Sequence, residues 1–289
     1  SQHPQVYMSP IKETNFFSTD FNPNDFSEHH KKVLLKDLSK FVEGPMTDDI
    51  FSAFITDEKI YQKLFKNVTN EIAIGEVTPG YVYSKSAAVT IKKSIPDCKI
   101  VIVLRNPVKR AFSHYLMFRR MGVETLDFHT SLKNDIQSEN KIWGNSKLYI
   151  EQGLYYEQVM RFIREFPANQ LKIIVFEDFV KEPGRIIKDL FRFIGVDDMV
   201  NLDFAKKHNE SEIPRVKLFG QLNRMKKLKS FFKKLLPENF KMMSKQILFT
   251  KKNLPKLETR DKELMISLFR EDVNKLEKLL GRDLSFWLK

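Results

Sequence analysis

The sequence predicts an α/β fold, a parallel sheet flanked by helices, on three observations. Three short aliphatic runs stand apart from the rest: EIAIGEV at 71–77, KIVIVL at 99–104 and LKIIVF at 171–176. Each is nearly continuously apolar rather than alternating, the pattern of strands covered on both faces. Each is followed by a turn or polar residues and then by a helical pattern, and strand–helix alternation builds parallel sheets.

The helical partners come in order. PGYVYSKSAAVTIKKSIP follows the first run, NPVKRAFSHYLMFRRMG the second and EPGRIIKDLFRFIG the third. The stretches FSEHHKKVLLKDLSKFVEG, DDIFSAFITDEKIYQKLFKN, YIEQGLYYEQVMRFIREF and RDKELMISLFREDVNKLEKLLGRDLSFWL carry apolar residues at three- and four-residue spacing, the signature of amphipathic helices. The polar segment 129–147 lacks a strong period and reads as a loop over the carboxyl end of the sheet. Residues 215–256 are lysine-rich and interrupted by Pro237 and Pro255. They read as a peripheral basic helical flap on a single domain spanning 1–289.

Composition narrows the function classes. With 42% hydrophobic and 30% charged residues the chain has the make-up of a soluble globular protein. No apolar run approaches the roughly 18 residues of a membrane span. Lys and Arg number 49 against 37 Asp and Glu, a net charge of +12. That balance points to an anionic ligand such as nucleic acid, phosphate, sulfate or a membrane surface, without choosing among them. The one cysteine, Cys98, excludes an intrachain disulfide and favours a reducing, cytoplasmic setting. It reads as a small buried apolar residue, not a nucleophile. The six histidines are scattered, and His29-His30 have no spaced cysteine or carboxylate partners, so no metal site is read.

The second aliphatic run ends in LRNPVKRAFSHY. Asn106 is a good N-cap and Pro107 suits the first helical position, so a strand ends at Leu104 or Arg105 and a helix starts at once. In open α/β sheets ligands bind beyond the carboxyl ends of the strands, where helix N-termini offer free N–H groups to anions. Arg105 would present its planar five-donor fork at that edge, and Ser113 a hydroxyl two helical turns on. On spacing alone, a surface salt bridge for Arg105 and an ordinary helix position for Ser113 remain open.

The whole string LRNPVKRAFSHY resembles the 3′-phosphate-binding motif of sulfotransferases that use 3′-phosphoadenosine 5′-phosphosulfate (PAPS), above all the heparan-type and bacterial branches. HPQVYMSPIKETNFF at 3–17, GEVTPGYVYS at 75–84, QGLYYEQVMRFIREFPANQLKIIVFEDFVKEP and DVNKLEKLLGRDLSFWL extend the likeness over most of the chain. The resemblance implies a P-loop nucleotide-hydrolase-like fold. It implies PAPS as co-substrate, 3′,5′-ADP (PAP) as product, and a hydroxyl- or amine-bearing acceptor on a carbohydrate or polyketide-like molecule. It implies no metal, and no nucleic acid as a specific partner. Arg105 and Ser113 would hold the 3′-phosphate.

Sulfuryl transfer needs two partners positioned in line, spreading negative charge stabilised, and a base for the acceptor proton. Glu76, at the end of an apolar strand and on the same sheet edge as Arg105, is the expected base, a role the resemblance also implies. The resemblance further implies an active-site lysine at Lys12, with Glu13 beside it a weaker candidate. His208 is a second candidate base or nucleotide contact, and Arg215 a candidate for closing over the nucleotide.

One family element is not found. A Lys-x-Gly-Thr/Ser-Thr/Ser loop after the first strand cradles the 5′-phosphosulfate in relatives, and none of the ten glycines sits in such a string. SQHPQV reads as the tail of the helix that follows that loop, so the sequence is expected to begin just after it, with the first strand lacking. A chain complete as given should transfer sulfate from PAPS poorly or not at all. Relatives also occur in the Golgi lumen behind an N-terminal anchor. Two further readings stay open here. One is another P-loop-like nucleotide transferase, which would need a Gly-rich loop and Mg²⁺-holding residues. The other is a non-catalytic basic binder of anionic glycan, RNA or membrane, resting on the lysine-rich 215–256 region.

Overall fold

The computed structural model describes residues 2–200, 202 and 255–289 in full, and the backbone of 213–214 and 249–250. The elements run β1 (Val6–Met8), α1 (Glu28–Leu34), α2 (Ser39–Glu43), α3 (Glu58–Lys63), β2 (Ala73–Gly75), α4 (Gly80–Tyr83) and α5 (Ala87–Ser94). Then come β3 (Ile100–Leu104), α6 (Pro107–Met121), α7 (Phe128–Gln137), α8 (Tyr155–Glu165), β4 (Leu171–Val175), α9 (Phe176–Lys181) and α10 (Pro183–Ile194). Last are β5 (Ile213–Pro214), β6 (Phe249–Thr250) and α11 (Thr259–Leu280).

The strands form two parallel ladders, not one sheet. β1 pairs β2 from Val6↔Ala73 to Met8↔Gly75. β3 pairs β4 from Ile100↔Leu171 to Leu104↔Val175. β5 and β6 make a short antiparallel pair. All three predicted strands are present, and β1 is one that hydropathy did not flag, since QVYM is too short to show a period. Expected burial on both faces is not met. In β3, Ile102 and Leu104 are buried while Val103 is 56% exposed, and in β2 Ile74 is 53% exposed. β1, β2 and β3 instead line one cleft of about 1770 Å³.

Among the described residues the larger of two hydrophobic clusters runs from Ile11 to Trp287. α6 contributes Val108, Ala111, Tyr115 and Phe118, one stripe at helical spacing. It ends at Gly122, whose φ of 70° is the left-handed conformation a helix stop favours. α11 buries Met265, Phe269, Val273 and Leu276 and packs against α8. The segment 129–147 is not all loop. Phe128–Gln137 is helical, N-capped by Asp127, whose carboxylate accepts from Thr130 N. Asp135 at its far end accepts the N–H groups of Leu148 and Tyr149 at 2.9 and 2.8 Å, folding the following loop back.

α8 has no capping side chain of its own. Its free N–H groups are met from α11, where Asp272 accepts Tyr155 N at 2.7 Å and Tyr156 N at 3.1 Å. Burial, opposed by these bonds, pushes the Asp272 carboxyl up to about 6. The folded chain then holds a proton that the unfolded chain releases near pH 4, so stability from this group is full below pH 4 and lost as pH rises through 6. Urea unfolding should show Asp272→Asn gaining on the wild type by on the order of 2 kcal/mol between pH 4 and 7, the shift discounted for partial exposure. A difference independent of pH would contradict this.

Candidate active site

The site is built on the junction between β3 and α6. The Asn106 side chain caps α6 by accepting Lys109 N at 3.0 Å. Its Nδ2 donates to the Trp287 carbonyl at 3.2 Å, and its backbone N–H donates to Glu177 Oε1 at 3.1 Å. Glu177 Oε2 also accepts the Trp287 indole N–H at 3.2 Å. The start of α9 and the end of the chain thus clamp the turn that carries Arg105.

Arg105 lines the cleft with its guanidinium 5.2 Å from the Phe176 ring centroid, a cation–π distance. Its carbonyl accepts the Tyr155 hydroxyl at 2.9 Å, and its Nε is enclosed without a partner among the described residues. Arg110, Ser113 and His114 on α6 line the same cleft. Gly153 sets how closely the turn before α8 approaches: a Cβ there would stand 2.8 Å from Phe269 and 3.2 Å from Pro107.

Two carboxylates reach the cleft from the β1–β2 side, Glu13 and Glu76. Glu76 follows β2 and is held by four hydroxyls. Tyr81 and Tyr61 donate to Oε1 at 2.7 and 3.1 Å, and Thr14 and Thr78 to Oε2 at 2.6 and 2.7 Å. That fills all the acceptor positions a carboxylate has. Glu13 is placed by a parallel bridge to Ser52. Burial pushes its carboxyl above the ordinary value, against the pull of Lys12 and a hydrogen bond from Ser52.

The sulfotransferase-domain family matches residues 15–277. The chain belongs to the sulfotransferase family. A crystal structure of a sulfotransferase from Alicyclobacillus acidocaldarius superposes with a TM-score of 0.70 at 29% identity, covering all of this chain and 91% of that one. Mouse heparan sulfate glucosamine 3-O-sulfotransferase 3B1 is 26% identical over 123 residues, 42% of this chain and 30% of that protein. The human bifunctional heparan sulfate N-deacetylase/N-sulfotransferase 3 is 23% identical over 230 residues, 77% of this chain and 24% of that protein. The chain therefore spans less than a third of the length of these two relatives.

In this sulfotransferase Arg105, Ser113 and Glu76 line one cleft. Lys12 is exposed, its ammonium 4.8 Å from the ring centroid of Phe51, a residue of the cleft. His208, Arg215 and most of the 215–256 flap lie outside the described residues. Burial pushes the Cys98 thiol up to about 11, away from nucleophilic reactivity. Among the described residues there is no cluster of three or more possible metal ligands, and no helix is long and apolar enough to cross a membrane. Sequence reasoning set Glu13 below its neighbours because KET gives no sign of burial. It passed over Arg110 because that residue lies inside a motif whose roles were given to Arg105 and Ser113.

Proposed function

We propose that this sulfotransferase moves a sulfuryl group from PAPS to a hydroxyl- or amine-bearing acceptor. The observation that carries the reading is one cleft lined both by Arg105 at the end of β3 and by the half-buried Glu13 carboxylate. Arg105 and Ser113 hold the 3′-phosphate, orienting the nucleotide. Of the two carboxylates the geometry favours Glu13 as base. Its raised proton affinity suits proton abstraction, whereas Glu76 has its oxygens already occupied by four hydroxyls. Glu76 is then the post that ties Thr14, one residue after Glu13, to the end of β2. As the acceptor oxygen or nitrogen bonds to sulfur, its proton passes to Glu13, the sulfur–oxygen bond to the nucleotide breaks, and 3′,5′-ADP leaves with the electron pair. Lys12, beside Glu13, adds positive charge at the rim where negative charge spreads. The lone cysteine supports a cytoplasmic setting.

The test is thermal stabilisation by nucleotides. 3′,5′-ADP should stabilise the chain at concentrations where 5′-ADP and ATP do not. Arg105→Ala should weaken 3′,5′-ADP about 30-fold or more, the scale of a lost charge-assisted contact. An equal response to 5′-ADP would refute the 3′-phosphate assignment.

A further inference from the structure

The clamped junction leaves one arginine without an explanation. Arg110 is three residues before Ser113 on α6, so the two share a helix face. Its guanidinium donates to the Tyr149 carbonyl and to Gln152 Oε1, the latter at 3.4 Å. No carboxylate among the described residues pairs with it. Asp135 is taken up by the N–H groups of Leu148 and Tyr149, and Glu151 pairs with Lys141 at 3.1 Å. Its Nε is enclosed without a partner among the described residues, as is that of Arg105. The side chain keeps partial exposure and lines the cleft. Burial lowers the affinity of Arg110 for its proton; Tyr155, Asp135 and Glu151 oppose this through space, and Arg105 adds to it. Two arginines thus stand within electrostatic reach, each with an enclosed Nε that has no partner among the described residues. Buried unpaired charge is costly unless something neutralises it. Tyr149 and Gln152 hold the second fork in place, and the close approach at Gly153 holds the turn that carries Gln152.

We propose that Arg110 is a second phosphate ligand, forming with Arg105 and Ser113 a two-arginine seat for the dianionic 3′-phosphate of the nucleotide. This rests on the nucleotide reading above and adds to it a residue and a charge requirement. A single arginine would accept a singly charged ester nearly as well as a phosphomonoester. Two arginines favour the dianion, and the nucleotide is then selected by charge at its 3′ end as well as by shape.

Calorimetric titration of the full chain with 3′,5′-ADP and with 5′-AMP, which lacks the 3′-phosphate, tests it. The preference for 3′,5′-ADP should fall about 10-fold or more in Arg110→Gln, with 5′-AMP affinity unchanged, and Arg110→Lys should recover part of it. A wild type without any preference would overturn the nucleotide reading and this proposal together. A preference lost in Arg105→Ala but kept in Arg110→Gln would overturn this proposal alone. Should Arg110→Gln not fold, the wild type still decides. The singly charged 3′-methyl ester of 3′,5′-ADP should bind about 10-fold more weakly or worse than the parent, and equal affinity would overturn the second ligand.

Discussion

Glu13→Gln should lower sulfuryl transfer from PAPS by about 100- to 10,000-fold, the usual cost of removing a positioned base. The amide keeps the size of the side chain and its place opposite Ser52, so nucleotide affinity should hold within a few-fold. Glu76→Gln is the contrasting variant. Glu76 holds Thr14, Tyr61, Thr78 and Tyr81 together, but hydroxyls can turn to accept from an amide. Turnover should therefore stay within about 10-fold, while stability drops by roughly 1–3 kcal/mol for the bonds that cannot be remade. Steady-state rates of labelled sulfate transfer, with acceptors drawn from a panel of alcohols and amines, read the difference. If Glu76→Gln loses turnover while Glu13→Gln keeps it, the two roles are exchanged.

Trp287→Ala carries the largest expected effect on stability. The indole is fully buried and packs near Tyr155, with ring centroids 6.0 Å apart. Its N–H binds Glu177 and its carbonyl receives Asn106, so one residue joins core packing to the turn behind Arg105. Truncation leaves a large cavity and costs about 3–5 kcal/mol, of the order of 10 °C in melting temperature for a chain of this size. Trp287→Phe keeps most of the volume and loses only the indole bond, at about 1 kcal/mol. Urea unfolding followed by circular dichroism separates the two. Equal, small losses would mean that the end of the chain is not anchored as described.

Much of this was legible in the sequence where a local rule suffices. The strand ending at Leu104, the Asn106 cap and the Pro107 start each follow from nearest-neighbour chemistry, and β3 ends and α6 begins where those rules put them. Long-range pairings were not legible. Nothing in KET announces a bridge to Ser52 that half-buries Glu13, and nothing in GEV announces that Thr14 and Tyr61, from two other parts of the chain, join Thr78 and Tyr81 around Glu76. The cap of α8 comes from Asp272, more than a hundred residues away. The helix at 128–137 was hidden because its buried face mixes Phe128 and Leu132 with Ser131 and Asp135, which blurs the apolar stripe. Continuous aliphatic runs suggested strands covered on both faces, yet Ile74 and Val103 open onto the cleft. Hydropathy records what a side chain tolerates, not which neighbour it meets.

The central claim is that this cleft is a 3′-phosphonucleotide site. Its most direct test is the ratio of dissociation constants for 5′-AMP and 3′,5′-ADP, measured by calorimetry on the wild-type chain and on Arg105→Ala. A ratio of about 30 or more in the wild type that falls at least 10-fold in the variant is the predicted result. A wild-type ratio near one, or a ratio unchanged by the loss of Arg105, would contradict it.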